Sequence, residues 1–197
     1  GITNLSSGKM GFSIARAAQE AGAEVTLVAG PVSLPTPRGV TRINVKSARD
    51  MLAAVQAHVE QATVFVATAA VADWRTDRSS EQKIKKDGSG ATPALSFVEN
   101  PDILATVTQS PQAQSGALYC VGFAAESHDL VVNAQAKRVR KGVPLLVGNI
   151  GPATFGQDDN ELLLVDATGT HIMARDTKLA LARKLIATIA SRTRASA

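Results

Sequence analysis

The chain has 197 residues, 45% of them hydrophobic and 19% charged, and its 21 basic and 17 acidic side chains leave a net charge of +4. That composition excludes a disordered chain, and the length suits one α/β domain with a core that holds without disulfide or metal staples. One cysteine, Cys120, excludes an internal disulfide framework and a cysteine-based zinc site, and it points to a reducing compartment.

In chain order, Gly8 to Ala21 carries Met10, Ile14, Ala17 and Ala18 at helical spacing, with Gly22 as the C-terminal stop. Glu24 to Ala29 is a short β-branched run and reads as a buried strand. A loop with three prolines follows, Gly30 to Gly39, and then a strand from Val40 to Val45. Ser47 to Gln61 reads as a helix, with Ser47 and Asp50 in a capping-box arrangement. Thr63 to Thr68 is expected to be a central strand. Asp73 to Pro93 is polar and reads as a loop or flap, and order resumes at Ala94 to Val98. Asn100-Pro101-Asp102 predicts a helix start, with Asn100 as N-cap and Pro101 in the first helical position. Ala117 to Phe123 is a strand, Ser127 to Lys141 a helix and Pro144 to Val147 a strand. Asn160 to Val165 and Thr170 to Ala174 flank Asp166-Ala-Thr-Gly169 as a hairpin, and Asp176 to Arg192 is a terminal helix. The alternation predicts a Rossmann-like, doubly wound, mostly parallel sheet closed by a C-terminal β-hairpin and helix.

Four segments have residue types suited to chemistry. Asn4 to Gly11 (NLSSGKMG) opens a helix with small residues, so free N–H groups and the helix dipole suit a phosphate. It is neither a Walker A loop nor a G-x-G-x-x-G fingerprint, and Ser-Ser-Gly also serves as a plain cap. Ala69 to Trp74 (AAVADW) follows a strand, where α/β sheets bind ligands. Small alanines there admit a flat ring, and Asp73 suits a cation or a sugar hydroxyl, or simply caps the next turn. Lys83-Ile-Lys-Lys86 precedes Gly88-Ser-Gly90, a mobile arrangement for closing over an anion or an ordinary solvated face. In Lys137-Arg-Val-Arg-Lys141, Lys137 and Lys141 share a helix face and suit a polyanion, or decorate a helix C-terminus. His58, His128 and His171 lack metal-ligand spacing, and Cys120 sits inside a strand as a buried thiol. Only 4% of residues are aromatic, which argues against nucleic acid, and no apolar run is long enough for a membrane span.

In this order the segments resemble the synthetase half of the bacterial bifunctional phosphopantothenoylcysteine decarboxylase/phosphopantothenate–cysteine ligases. The matching stretches are Ile2 to Gly11, Ala69 to Asp73, Lys83 to Lys86, Asn100 to Ile103, Val121 to Glu126, Lys137 to Lys141, Asn149, and Phe155 to Asn160. The likeness runs from Gly1 to near Val165. It implies a cytoplasmic, dimeric, CTP- and Mg2+-dependent ligase of coenzyme A biosynthesis, joining 4′-phosphopantothenate to L-cysteine through an acyl-cytidylate. It also implies a flavin-dependent decarboxylase domain fused upstream, so no flavin is expected in this portion, and neither nucleic acid nor membrane is an expected partner.

The resemblance implies residue roles as well. Ser6, Gly8 and Gly11 hold the triphosphate, and Asn4 orients the intermediate. Ala69, Ala70 and the Pro101-Asp102-Ile103-Leu104 helix start cradle cytosine and ribose, with Phe123 packed against the nucleotide. Asp73 meets the nucleotide or its Mg2+, Lys137 and Lys141 meet phosphates, and Lys83 closes from the flap as the residue that matters most for turnover. The family has a strand and turn ahead of the position of Asn4, so the chain is expected to form a single ligase domain, residues 1–197, without that first strand. Ile150 replaces a polar residue common in the family. An NAD(P)-dependent oxidoreductase is the alternative enzyme reading, but it lacks G-x-G-x-x-G, and the one tyrosine, Tyr119, lies in a strand. A non-catalytic nucleotide-binding module is the third reading.

Overall fold

The computed structural model describes residues 6–77, 96–124, 130–150 and 159–195. Helix α1 (Lys9–Glu20) starts at Gly8, whose φ of 71° lies in the left-handed region open to glycine. It stops at Gly22, where the N–H groups of Gly22 and Ala23 donate to the carbonyls of Gln19 and Ala18. Strands β1 (Thr26–Ala29) and β2 (Thr41–Asn44) pair in parallel. Helix α2 (Ala48–Val59) begins with the predicted capping box. The Asp50 N–H donates to Ser47 Oγ at 3.1 Å, and the Ser47 N–H donates to the Asp50 carboxylate at 3.0 Å.

The main sheet has five strands in the order β3 (Val64–Ala67), β6 (Tyr119–Ala124), β7 (Leu145–Asn149), β8 (Asp159–Asp166) and β9 (Gly169–Thr177). β3, β6 and β7 run parallel, and the β8–β9 hairpin extends them antiparallel. A short antiparallel ribbon is made by β4 (Trp74–Thr76) and β5 (Phe97–Glu99). Between β5 and β6 lie α3 (Ile103–Thr108) and α4 (Pro111–Gln114). Helix α5 (Leu130–Lys141) leads to β7, and α6 (Lys178–Ala195) closes the chain.

Side-chain alternation along β6 divides the core into two layers. Cys120 and Ala124 face a cluster with Val55, Ile103, Leu104, Ala134 and Leu146, on the side of α2, α3 and α5. Val121 and Phe123 face a second cluster with Ile14, Ala17, Leu181 and Leu185, on the side of α1 and α6. Neighbouring residues of one strand point to opposite faces, so a strand buried on both sides must be continuously apolar. β7 meets that demand, with Leu145, Leu146 and Val147 all fully buried. Each contributes roughly 1.5–3 kcal/mol of apolar burial. Helices on both faces make the sheet doubly wound, as predicted.

Four expectations need correction. The Thr63–Thr68 run forms β3 at an edge of the five-stranded sheet rather than at its centre, and its residues are half-buried. Among the described residues β3 bonds only β6 and β1 bonds only β2, so the strands form separate sheets. The stretch from Asp73 does not begin as loop: Trp74–Thr76 is a strand, because Phe97–Glu99 supplies a distant antiparallel partner. Asn100 is not the cap of α3. Asp102 is, with its carboxylate accepting from the Ala105 N–H at 2.9 Å, which places Pro101 outside the helix. The Ser110-capped turn α4 was not anticipated.

Candidate functional site

The start of α1 is shaped by two glycines. A Cβ on Gly8 would lie 3.2 Å from a methyl of Val32 and 3.6 Å from Leu34, so the loop after β1 lies directly on this turn. Arg42 grips that loop. Its guanidinium donates to the carbonyls of Leu34 (2.6 Å) and Val32 (3.0 Å) and to Asn44 (2.7 Å), and it stands 5.0 Å from the Phe12 ring centre. A Cβ on Gly11 would come within 2.8 Å of Thr68 Oγ1, so glycine there lets α1 approach the end of β3. Ser6 Oγ accepts from the Gly8 N–H at 3.4 Å, and Ser7 Oγ accepts from the Lys9 N–H at 3.3 Å. Gly8 supplies no side-chain cap, and the first turn of α1 carries no acidic residue. The positive end of the helix dipole is therefore not neutralised by its own sequence.

The segment after β3 meets the entry of α3. Ala69, Ala70 and Asp73 are exposed. Asn100 holds this segment at two points: its backbone N–H donates to the Asp73 carbonyl at 2.7 Å, and its Nδ2 donates to the Ala72 carbonyl at 2.7 Å. Its Oδ1 accepts from Arg75 at 3.3 Å, and Arg75 also donates to the Glu99 carbonyl. Next in the chain, Pro101 is half-buried and Asp102 exposed, while Ile103 and Leu104 are buried in the core. Leu104 lies over β6, where a Cβ on Gly122 would come within 2.9 Å of its methyl. Since the side chains of Ile103 and Leu104 are committed to the core, a ligand meets this stretch through backbone, Pro101 or Asp102.

Phe123, next to last in β6, is half-buried and turns to the α1 side, in the same cluster as Met10. Three candidate regions thus meet at the carboxyl ends of the parallel strands: the α1 start, the exit of β3 and the end of β6. That is the usual binding edge of an open α/β sheet. Lys137 and Lys141 lie in the last two turns of α5. The adjoining Gly142 lies against Thr108 at the far end of α3, so these lysines sit toward the opposite end of α3 from Pro101. Burial first, then the charges of Lys141 and Arg140, lower the affinity of the Lys137 amine for its proton. Asn4 and Lys83 lie outside the described residues. No cluster of three or more His, Cys, Asp or Glu suited to a metal occurs among the described residues; Asp73 and Asp102 are both exposed carboxylates of this region, and Asp102 is engaged in capping α3.

Sequence reasoning missed Arg42, Thr68 and Asn100 as supports of the site. The Asn-Pro pair at 100–101 was the available signal. A residue before proline is held extended, which suits a clamp between two chain segments as well as it suits a helix cap.

Comparison with known proteins places the chain among pantothenate-related sequences. Residues 1–193 match the family model described as the DNA/pantothenate metabolism flavoprotein C-terminal domain. The coenzyme A biosynthesis bifunctional protein CoaBC of Vibrio cholerae is 45% identical over 184 residues, covering 92% of this chain and 45% of that protein. CoaBC of Escherichia coli is 43% identical over 195 residues, covering 97% of this chain and 47% of that protein. The chain therefore spans a little under half the length of these curated relatives. Among solved structures, the C-terminal domain of CoaBC superposes with a TM-score of 0.76 at 33% identity, covering 95% of this chain and 84% of that one. A Cab2 mutant in complex with phosphopantothenate-cysteine shares the fold, with a TM-score of 0.75 at 16% identity, covering 98% of this chain and 80% of that one.

Proposed function

The chain belongs to the DNA/pantothenate metabolism flavoprotein C-terminal domain family, and from that premise we propose that it is a CTP-dependent phosphopantothenate–cysteine ligase of coenzyme A biosynthesis. A carboxylate oxygen of 4′-phosphopantothenate attacks the α-phosphorus of CTP, and pyrophosphate leaves. The product is an acyl-cytidylate. The amine of L-cysteine then attacks the acyl carbon, the C–O bond breaks and CMP departs with that oxygen. Activation is needed because a free carboxylate does not react with an amine.

The convergence of the α1 start, the exit of β3 and the entry of α3 at one edge of the sheet supports this reading best. Gly8, Gly11 and Ser6 present the positive helix end to the triphosphate. Ala69, Ala70 and the Pro101–Leu104 backbone receive base and ribose, with Phe123 at the floor. Lys137 and Lys141, toward the far end of α3 and outside that convergence, are the cations assigned to the phosphates, and Asn4 orients the intermediate. Lys83 stabilises the charge that develops during transfer. Asp73 is the carboxylate that would hold Mg2+, an ion commonly bound through one or two carboxylates plus substrate phosphates. Bound there, the ion would neutralise phosphate charge.

We also propose a homodimer. Trp74 and Phe97 lie diagonally on one face of the β4–β5 ribbon and are 55% and 44% exposed. An exposed aromatic pair beside the site suits a second copy of the chain. Trp74→Lys should lower the sedimentation-derived mass toward the monomer, and an unchanged mass would rule out this face. The relatives' description as bifunctional and their greater length support an upstream partner domain, the flavin-dependent decarboxylase. In a discontinuous assay, pyrophosphate and CMP should appear in equal amounts only when CTP, phosphopantothenate, cysteine and Mg2+ are all supplied. Lys83→Gln should lower turnover more than tenfold, about 1.4 kcal/mol of barrier, while CTP still binds. Unchanged turnover would remove Lys83 from the mechanism.

A further inference from the structure

We propose that Asn100 is a positioning residue that locks the exit of β3 to the entry of α3, and so sets the base-and-ribose end of the nucleotide site. The inference rests on the CTP reading above and adds a determinant of nucleotide affinity to it. Two consecutive carbonyls, those of Ala72 and Asp73, are both held by this one residue at 2.7 Å. Fixing two successive peptide groups fixes the path of the chain between them, and with it the direction of Asp73. The clamp is itself held rigid. Pro101 restricts the backbone of Asn100 to extended conformations, and Arg75 donates to its Oδ1, which orients the amide so that Nδ2 meets Ala72. On the α3 side, Leu104 is wedged over Gly122 and Asp102 caps the helix, so the entry of α3 is an anchored support.

Only asparagine meets every demand at this position. It must donate to Ala72, accept from Arg75 and keep a short side chain. Aspartate matches its size and still accepts from Arg75, but it sets an acceptor against the Ala72 carbonyl. The backbone bond to Asp73 survives either residue. The substitution therefore frees one peptide group of the segment and leaves the core untouched.

The experiment is steady-state kinetics of the purified protein, varying each substrate in turn, alongside thermal denaturation. For Asn100→Asp the KM for CTP should rise at least tenfold. The KM values for phosphopantothenate and cysteine should stay within twofold, and kcat at saturating CTP within threefold. Ser110→Ala, which removes the cap of α4 away from the site, is the stability control: it should lower the melting temperature without moving the KM for CTP. If Asn100→Asp does not fold, Asn100→Ser, which also lacks the amide donor, must show the same CTP-selective rise. Equal changes in all three KM values, or none, would overturn the clamp while leaving the ligase reading standing. Absence of CTP binding by the unsubstituted protein would overturn both.

Discussion

Gly11 shows how much one missing methyl group matters at this site. Its Cα stands so close to Thr68 that alanine would force Oγ1 to within 2.8 Å of carbon. Gly11→Ala should therefore push α1 off the end of β3 and weaken CTP binding. Thr68→Ala should restore part of the loss, with a coupling of roughly 0.5–3 kcal/mol in a double-mutant cycle followed by CTP-induced thermal stabilisation. Strictly additive effects would mean that α1 and β3 do not constrain each other. Cys120 illustrates the opposite case. Burial pushes its thiol up to about 11, so at neutral pH it is protonated and should alkylate only as fast as the protein unfolds. At this scale the sequence was legible where a residue type has one dominant use. The buried cysteine was readable for that reason, whereas the glycines at 8 and 11 were read for a phosphate and not for their close approach to Val32 and Thr68. Asn100 was not readable, because asparagine before proline serves caps and clamps alike, and only the carbonyls of Ala72 and Asp73 decide between them.

Among the elements, α1 and α6 share an apolar cluster through Ile14, Ala17, Leu181 and Leu185, and charged side chains add to this joint at the surface. Arg183 donates to both carboxylate oxygens of Glu20, at 2.7 and 3.0 Å, and Arg16 adds a bond at 2.9 Å from one turn earlier. Hydrogen bonds from Arg183, then Arg16, lower the Glu20 carboxyl from 4.5 to about 2. A lowered carboxyl pKa stabilises the fold fully above the unfolded value, and that stability is lost as pH falls through the folded value. The urea midpoint of the unsubstituted protein should therefore exceed that of Glu20→Gln by a constant margin above pH 4.5, and the margin should close toward pH 2. All three side chains reach solvent, so the margin should also shrink in high salt. A margin that grows on acidification would reverse the assigned sign. The longer elements were legible because local signals bound them, such as the Ser47–Asp50 box before α2 and Gly22 after α1. The β4–β5 ribbon was not, since Trp74 finds its partner at Glu99, and no local pattern reports a pairing so distant.

At the scale of the whole molecule, a parallel core of β3, β6 and β7 sits between two helical layers, with the antiparallel β8–β9 hairpin at its side. Alternation of strand and helix made this class legible. The assembly of the site was not, because it depends on contacts between segments tens of residues apart, such as Gly11 with Thr68 and Ala72 with Asn100. The charge of +4 is modest, yet Lys137, Arg138, Arg140 and Lys141 concentrate positive charge on one helix end, and burial, then the charges of Lys141 and Arg140, lowers the hold of the Lys137 amine on its proton. An anionic ligand bound there, such as a triphosphate, would offset the repulsion within that cluster. The central claim is that this fold activates a carboxylate as an acyl-cytidylate. The most direct measurement is the fate of oxygen-18 placed in the carboxylate of 4′-phosphopantothenate, followed by mass spectrometry of the released CMP after turnover with CTP and cysteine. The account predicts one carboxylate oxygen transferred to the CMP phosphate per ligation. Product formed with unlabelled CMP would contradict it.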